Sequence, residues 1–363
     1  MKKRILYIIL TLVVSTLLVI GLFLSSEHIM KKENPFIRRF IPHHIHDVKY
    51  IDLEVNSYYI AGVTKDSIYL GNYTAPLLVT AFNIDNFNLK EHLIRIDQPS
   101  NKFKNINVRI LNDLLHVSDG TVPIIYKGST TNWKVYKNNS KHYFSIIEPV
   151  DSQKDILRSQ LATNGELVLG QIKDTLKDKI DIYNNALKKQ IDGVFDSDGF
   201  LTIDRRTKQA IYTYYYRNQY IVLDNESIRF KTGKTIDTTT YAKIQVIKLT
   251  DGSIKMSAPP HKVNARTYAF NGLLYIKSEL LGKNEPKSMW NQASIIYVYD
   301  YNKNEYLYSF YAYDYQKEKI REFAITDDYF FGLVGNSLVR YEMMEKTENR
   351  EQYRHRNGLR RTV

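Results

Sequence analysis

The sequence has 363 residues, a formal net charge of +12 at pH 7 and no cysteine. Without cysteine the chain has no disulfide bond, no thiolate metal site, no thiol nucleophile and no lipid-modified N-terminal cysteine. Part of the positive charge lies near the two chain ends. We therefore interpret the basic balance as surface solubility with attraction to anionic lipid or polysaccharide, and we expect no nucleic-acid partner.

An apolar segment without charged residues spans residues 5–24. This matches the ~20 residues that a helix needs to cross a bilayer. Residues 2–4 (KKR) precede it, which predicts a cytoplasmic N-terminal end and an exported C-terminal part. The alternative is a cleaved signal peptide, but its apolar region is usually ~7–15 residues and ends at an A-x-A-like site, which residues 25–27 (SSE) do not match. We predict that residues 1–30 form a cytoplasmic tip and an uncleaved, single-pass signal anchor in a bacterial inner membrane.

Residues 31–46 contain two prolines and several basic residues, and they predict a juxtamembrane spacer that lifts the next domain off the bilayer. Their positive charge acts against the orientation given above. Residues 47–343 then contain short runs rich in Tyr, Ile, Val and Thr, separated by turn sequences, with little helical periodicity. This pattern predicts an all-β domain on the periplasmic or extracellular side, which we expect to be a monomer.

Antiparallel meanders of these runs give units of roughly 40–50 residues, the size of a four-stranded propeller blade. Three x-Asp-Gly sequences, at 118–120, 197–199 and 250–252, predict turns between runs. Six units fill the domain, and seven shorter ones are also compatible with its length. We predict a six-bladed β-propeller in which residues 48–54 complete the last blade beside residues 337–343. A pair of β-sandwiches is the alternative.

Two segments depart from this pattern. Residues 171–190 (QIKDTLKDKIDIYNNALKKQ) are compatible with an amphipathic helix or with strands joined by a long charged loop, and we favour the strands. Residues 344–363 are basic and offer little apolar surface to bury, so they predict a disordered tail.

Three carboxylates lie close together in DGVFDSDGF: Asp192, Asp196 and Asp198. Closely spaced carboxylates beside a glycine turn are common ligands of Ca²⁺. The loop lacks the complete EF-hand pattern, and Asp-Gly pairs are also ordinary turn residues. The three residues are candidates for a Ca²⁺ site, with the turn as the favoured alternative, and no other cofactor is predicted.

The sequence YTYYYRNQY supplies candidate ligand-binding residues. Strand alternation places Tyr215 and Arg217 on one face, and Asn218 follows where the strand turns. Aromatic rings with an arginine suit sugar or peptide binding, although packing of the tyrosines between blades is the favoured alternative. Arg205 and Arg206 are candidates for a positive rim around an anionic ligand, with a solvated turn as the alternative.

Five segments carry a resemblance to a known family: KQIDGVFDSDG, YTYYYRNQYIVLD, TIDTTTYAKI, APPHKVN and YDYNKNEYLYSFY. Together they resemble an uncharacterised family of bacterial membrane-anchored proteins, over most of residues 47–341. The resemblance implies a six-bladed propeller, similar to the TolB and NHL kinds, and a location at the membrane. It implies no activity, ligand or catalytic residue, because one fold serves many functions.

Linear enzyme signatures are mostly missing: the sequence has no G-x-S-x-G elbow, no H-E-x-x-H helix, no phosphate-binding loop and no dinucleotide fingerprint. We expect a non-catalytic binding or scaffolding module for a protein, peptide or glycan. The alternative is a propeller enzyme or redox accessory subunit with a site at the central channel. Carboxylates and an arginine that converge on the axis would favour the enzyme, whereas an apolar channel and an exposed aromatic patch would favour binding.

Overall fold

The computed structural model describes five stretches of the chain: residues 2–30, 34–98, 103–138, 142–174 and 179–344. The first element is helix α1, Lys2–Met30. Its segment Lys3–Ser25 is long and apolar enough to cross a membrane, and all of the side chains in that segment are exposed. Water does not stabilise such a helix, so it needs lipid or a partner. A signal sequence near the N-terminus can meet the same criterion of length and composition, so the helix is compatible with both predicted interpretations.

In the described residues after this helix, the strands form six sheets built from antiparallel meanders and one separate hairpin. Strand β1, Ile45–Asp52, belongs to the sixth sheet. The first sheet contains β2 (Tyr58–Val63), β3 (Ser67–Asn72), β4 (Leu78–Asn83) and β5 (Leu89–Leu93). The second sheet contains β6 (Arg95–Ile96), β7 (Asn107–Leu111), β8 (Leu114–Asp119), β9 (Ile124–Ser129) and β10 (Lys134–Asn138). The short strand β6 adds to the outer edge of this sheet by pairing in parallel with β10.

The third sheet contains β11 (Ile146–Pro149), β12 (Lys154–Gln160), β13 (Leu167–Lys173) and β14 (Ile180–Ile182). The fourth contains β15 (Gly199–Ile203), β16 (Ala210–Tyr214), β17 (Gln219–Asp224) and β18 (Arg229–Lys234). The separate hairpin consists of β19 (Val246–Lys248) and β20 (Ile254–Met256). This hairpin lies in the connector between the fourth and fifth sheets.

The fifth sheet contains β21 (Asn264–Phe270), β22 (Leu273–Ser278), β23 (Ala293–Asp300) and β24 (Glu305–Tyr313). A short helix α2, Lys287–Trp290, lies between β22 and β23. The sixth sheet contains β25 (Ile320–Ile325), β26 (Tyr329–Val334), β27 (Ser337–Met343) and β1. The sheets are the six blades of a β-propeller, which confirms the predicted fold with six blades rather than seven.

Pairing between the first and last strands closes the ring. β1 runs antiparallel to β27, with Ile45 opposite Met343 and Ile51 opposite Leu338. This confirms the predicted closure, although the strand begins three residues earlier than predicted. The pairing completes blade six with strands from both ends of the β region and so closes the ring of blades.

The tyrosines and phenylalanines fill the interfaces between blades. Phe323 and Phe330 stack with ring centroids 5.3 Å apart, next to Phe310 of the preceding blade. Tyr220 and Tyr299 meet between blades four and five at 5.9 Å. Each blade packs against a neighbour on both faces, so its strands bury large side chains on both sides. This explains the high aromatic content of the sequence.

Several hairpins use one five-residue turn. Asp204, Asp224 and Asp300 each accept a hydrogen bond from the backbone N–H two residues later, at 2.9–3.1 Å. The fifth residue of each turn has a positive φ, for example 59° at Lys208. An aspartate side chain that mimics a backbone turn stabilises this geometry. The sequence repeat of the blades is therefore clearer in the turns than in the strands.

Three local predictions have different outcomes in the structure. In the segment 171–190, β13 and β14 pair with each other, so the strand interpretation is the one observed, and residues 175–178 lie outside the described chain. The x-Asp-Gly sequences at 118–120 and 250–252 lie at hairpin turns, but the one at 197–199 ends a connector between blades. The predicted tail lies outside the described residues beyond Met344.

The predicted spacer packs against the propeller. The Asn34 N–H donates to the Leu281 carbonyl at 3.0 Å, and the Lys283 N–H donates to the Phe36 carbonyl at 2.9 Å. Residues 34–44, which we call the strap, then cross the outer edge of blade five and lead into β1. Along this edge, backbone hydrogen bonds join the strap to β24. The prediction of a spacer that lifts the domain away is wrong for these residues.

Alternation within the strap explains why it binds. Phe36 and Arg38 are buried, whereas Ile37 and Arg39 between and beyond them are exposed. The Arg38 guanidinium forms an ion pair with Glu285, and its Nη2 also donates to the Leu280 carbonyl at 2.6 Å. Composition alone predicted a solvated linker because basic residues and prolines are typical of one. The segment instead binds the propeller, because Phe36 and Arg38 are buried and Arg38 pairs with Glu285, which lies far along the chain.

Candidate functional site

The first strand of each blade lines a central cavity of roughly 550 Å³ along the propeller axis. Blades one and two approach each other closely where β2 passes β7. A Cβ atom on Gly62 would lie 2.2 Å from the Ile110 carbonyl oxygen, so only glycine fits there. The cavity is large enough for a small ligand or for a short segment of a polymer.

An ion pair bridges blades two and three inside this cavity. Arg109 Nε donates to Glu148 Oε1 at 2.7 Å, and the two side chains are 25% and 15% exposed. Burial raises the pKa of Glu148, while the Arg109 charge opposes that shift. Burial also disfavours the charged form of Arg109, but the Glu148 charge outweighs this and leaves its pKa raised. The opposite charges of Arg109 and Glu148 offset each other within the cavity.

Two further arginines line the cavity without an acidic partner among the described residues. Arg266 Nε donates to the Arg321 carbonyl at 2.9 Å, and its guanidinium carbon lies 5.2 Å from the centre of the Phe200 ring. Arg205 Nη2 reaches the Ile110 carbonyl at 3.4 Å. Neither arginine forms an ion pair within the described chain. The described lining therefore contains three arginines, Arg109, Arg205 and Arg266, against two glutamates, Glu148 and Glu322, and its charge balance is positive by one.

Blade six contributes two charged residues that are neighbours in the sequence, Arg321 and Glu322. Arg321 Nη1 donates to the Tyr58 carbonyl at 2.6 Å, but its Nε and Nη2 are buried without a hydrogen-bond partner. Burial lowers the pKa of Arg321, since the charged form loses solvation. The neighbouring Glu322 lines the cavity and accepts a hydrogen bond from the Ile60 N–H at 3.1 Å. Buried arginine donors without partners are the kind of group that a bound anion satisfies.

Aromatic rings complete the wall. Tyr215 and Phe200 meet edge to face, with centroids 4.3 Å apart, and both line the cavity. Phe144 and Tyr268 line it as well. Burial raises the pKa of Tyr215, so its hydroxyl remains protonated at neutral pH. Such rings present apolar faces and one polar handle to a ligand.

The structure separates the three predicted ligand-binding residues. Only Tyr215 lies at the cavity. Arg217 is fully buried, with its guanidinium carbon 3.6 Å from the centre of the Tyr214 ring and its Nη2 donating to the Lys188 carbonyl. Asn218 is also buried and donates to the Asp237 carbonyl. Strand β16 ends at Tyr214, so the alternation that placed Tyr215 and Arg217 on one face does not continue past that residue.

The three predicted calcium ligands are engaged by the protein itself. Asp196 is buried and accepts hydrogen bonds from four successive backbone N–H groups, those of residues 190–193. Asp192 accepts from two more N–H groups, and Asp198 forms an ion pair with Arg158. Among the described residues, no three acidic or histidine side chains are placed to share one metal ion. Calcium binding stays a prediction.

The residues that matter most in the channel were not singled out from the sequence: Arg109, Glu148, Arg266 and Glu322. Each is a charged residue within the innermost strand of a blade, and Arg109 and Glu148 have apolar neighbours on both sides in the sequence. A charge in a short strand that begins each four-strand unit is the signal that would have found them, because the first strand lies at the axis. Arg205 was singled out, and it does line the cavity.

The sequence matches no protein-family model and no curated protein. Among solved structures, the chain is similar to a member of the DUF4221 family from Bacteroides vulgatus, at 10% identity and a TM-score of 0.51, over 86% of this chain and 99% of that one. It is also similar to a protein of Bacteroides fragilis described as exported, at 9% identity and a TM-score of 0.50, over 87% and 99% of the two chains. At these identities the similarity shows the fold alone, and it confirms the propeller that the resemblance implied.

Proposed function

We propose that the chain is a membrane-tethered, exported propeller that acts as a non-catalytic binding module and takes a carboxylate-bearing segment of a peptide or glycan in its central channel. The observation that carries this proposal is the pair Arg205 and Arg266, which line the cavity without an ion-pair partner in the described chain. Arginine binds carboxylates through paired N–H donors, and it does so most strongly where water is partly excluded.

Helix α1 supports the tether. Its segment Lys3–Ser25 has the length and composition of a membrane span and contacts nothing else in the described chain. The basic residues before it favour a cytoplasmic N-terminal end, which would place the propeller in the periplasm or outside the cell. The helix would hold the channel close to a membrane, so its ligand would be a molecule within reach of that surface.

The wall of the channel supports an acidic ligand over a neutral one. The charges of Arg109 and Glu148 offset each other, whereas Arg205 and Arg266 form no ion pair with any carboxylate in the described part of the chain. Glu322 is the remaining acidic group, and one of its oxygens already accepts the Ile60 N–H. The rings of Phe200 and Tyr215 offer stacking surface beside these donors. A ligand with carboxylates along an extended backbone fits both features.

Calorimetric titration of the full chain in lipid nanodiscs tests the proposal, with hexaglutamate and hexagalacturonate as probes. We expect binding of at least one probe, weakened by salt, and a loss of about tenfold or more in the Arg205→Ala/Arg266→Ala variant. Arg206→Ala is the matched control, because Arg206 pairs with Asp327 outside the cavity. Equal affinity of the double variant and the native chain, or binding of neither probe, would overturn the proposal. The two probes separate a peptide ligand from a glycan ligand.

A second candidate function is catalysis at the same cavity, favoured by one observation. Two carboxylates, Glu148 and Glu322, line the cavity, and burial raises the pKa of Glu148 as it does for many general acids. A hydrolase or lyase would cleave hexagalacturonate, which mass spectrometry detects. Cleavage that disappears in Glu148→Gln or Glu322→Gln would support catalysis. An intact probe would favour the non-catalytic binding module.

A further inference from the structure

The hairpin formed by β19 and β20 extends from the propeller with apolar residues in solvent. At its base, Val246 pairs with Met256, and both pack against a small cluster that contains Tyr216 and Ile244. Beyond the base the hairpin exposes three aliphatic side chains: Ile247 (47% exposed), Leu249 (39%) and Ile254 (39%). A lone two-stranded hairpin is only marginally stable in water. Since successive cross-strand pairs alternate faces, Ile247 lies on one face of the hairpin and Ile254 on the other, and aliphatic side chains exposed on both faces suit an element that an apolar medium surrounds.

Lysines accompany these aliphatic side chains. Ile247 pairs with Lys255 across the hairpin, and Lys248 pairs with Ile254. Both lysines are exposed. Lysine places its alkyl chain along apolar surface and its ammonium group in a polar layer. The combination matches the boundary between the acyl chains and the anionic headgroups of a membrane.

Topology places the hairpin at the same end of the propeller as the strap. The connectors 235–263 and 279–292 both lie where a blade's second strand ends and its first strand begins, and we call this the tether end. The Glu279 N–H donates to the Val263 carbonyl at 2.9 Å, so the two connectors touch. The strap enters there, because the Asn34 N–H is bonded to Leu281.

The distances along the chain agree with membrane contact. Helix α1 ends at Met30, and the four residue steps to Asn34 span at most about 14 Å. The helix continues five residues beyond Ser25, which adds about 8 Å. The tether end therefore lies within roughly 22 Å of the hydrocarbon layer. From residue 245 to its tip at Asp251, the hairpin reaches about 20 Å at the rise of a β-strand.

We propose that the hairpin β19–β20 is a membrane-contact element, which inserts Ile247, Leu249 and Ile254 into an anionic bilayer while Lys248 and Lys255 bind its headgroups. This inference rests on the membrane tether of the proposed function. With helix α1 it gives the propeller two points of attachment at one end. Two attachments fix the orientation of the channel relative to the bilayer, which a single flexible tether does not do.

The absence of cysteine makes the test specific, since one introduced cysteine takes up one label. The full chain carrying Leu249→Cys, labelled with the fluorophore NBD, is reconstituted into vesicles of phosphatidylcholine and phosphatidylglycerol that contain nitroxide-labelled lipid. We expect a blue-shifted emission and strong quenching by the nitroxide. The matched control is Lys65→Cys, in the exposed turn between β2 and β3 at the opposite end of blade one, which should remain unquenched.

Two comparisons complete the experiment. Adding Ile247→Asp and Ile254→Asp to the labelled chain should reduce quenching several-fold, and so should vesicles of phosphatidylcholine alone. Flotation of the vesicles tests the tether separately. A chain that floats with an unquenched label at residue 249 overturns the hairpin proposal but leaves the tether, and it assigns the exposed aliphatic side chains to a protein partner. A chain that does not float overturns the tether and the hairpin proposal together.

Discussion

Arginines occupy two regions of this molecule under opposite conditions. At the outer edge of blade five, Arg38 is buried and both of its terminal nitrogens are bonded to groups of the chain, including Glu285 and Tyr297. In the channel, Arg205 and Arg266 each donate one hydrogen bond to a backbone carbonyl, and neither forms an ion pair with a carboxylate among the described residues. The difference teaches that an arginine paired by its own chain stabilises the fold, whereas an unpaired arginine at a cavity is available to a ligand.

Removal of Arg38 should give the largest effect on stability. Arg38→Ala leaves the carboxylate of Glu285 buried and unpaired, since that side chain is only 6% exposed. Loss of one partner of a buried ion pair typically costs about 3–5 kcal/mol. We expect a decrease of that order in the free energy of unfolding, measured by urea denaturation in detergent micelles.

The neighbouring residue supplies the control for this experiment. Arg39 is exposed, so Arg39→Ala should cost about 1 kcal/mol or less. The double variant Arg38→Ala/Glu285→Ala should recover part of the loss, because no unpaired charge remains buried. A decrease below about 1 kcal/mol for Arg38→Ala would contradict a strap that is locked to the propeller by this pair.

The loop at residues 190–198 tests whether the same rule holds for a carboxylate. Burial raises the pKa of Asp196, but hydrogen bonds from Asp192 and from backbone N–H groups outweigh burial and leave it lowered. Asp196→Asn loses acceptor capacity toward four N–H groups, and we expect a loss of about 1–3 kcal/mol at neutral pH.

Acid pH should erase that difference. A carboxylate with a lowered pKa in the folded state stabilises the protein above its ordinary pKa of 3.8, and this contribution is lost as the pH falls through the folded-state value. Melting temperatures of the native chain and of Asp196→Asn should therefore converge below about pH 4. A gap that stays constant from pH 7 to pH 3 would exclude a charge-dependent role for Asp196.

Much of the fold follows from the sequence because its signals are local. Strand alternation and turn residues predict the meanders, and the length of the β region predicts six units. The closing strand could be predicted because a ring needs a partner for its last edge. The strap could not, since its binding depends on Arg38 meeting Glu285, which lies 247 positions later in the chain. No local pattern encodes that pairing.

The site was predicted less well for the same reason. Tyr215 lies at the channel, but Arg217, two residues later, does not, because the strand already ends at Tyr214 and both residues follow it. Alternation predicts faces only while a strand continues. Arg109 and Glu148 come from different blades and become a pair only when the ring closes. Residues that meet at a propeller axis are thus harder to predict than the strands that carry them.

The channel arginines should behave in the opposite way to Arg38. Arg266→Ala removes one hydrogen bond to the Arg321 carbonyl and a contact with Phe200, without leaving a buried charge unpaired. We expect the free energy of unfolding to change by less than about 1 kcal/mol. Urea denaturation beside Arg38→Ala measures the contrast. A loss as large as that of Arg38→Ala would show that Arg266 serves the fold, and it would remove the basis for the proposed ligand site.

Chelation should give the smallest effect. Asp196 is saturated by backbone N–H groups and Asp198 is paired with Arg158, so the loop satisfies its own charges. We expect EDTA to leave the melting temperature of the full chain unchanged within error, and added Ca²⁺ to leave it unchanged as well. A decrease with EDTA that Ca²⁺ reverses would establish the predicted calcium site. It would also show that a carboxylate can bind a metal ion while it accepts hydrogen bonds from its own chain. The contrast between Arg38 and Arg266 argues against such a double role.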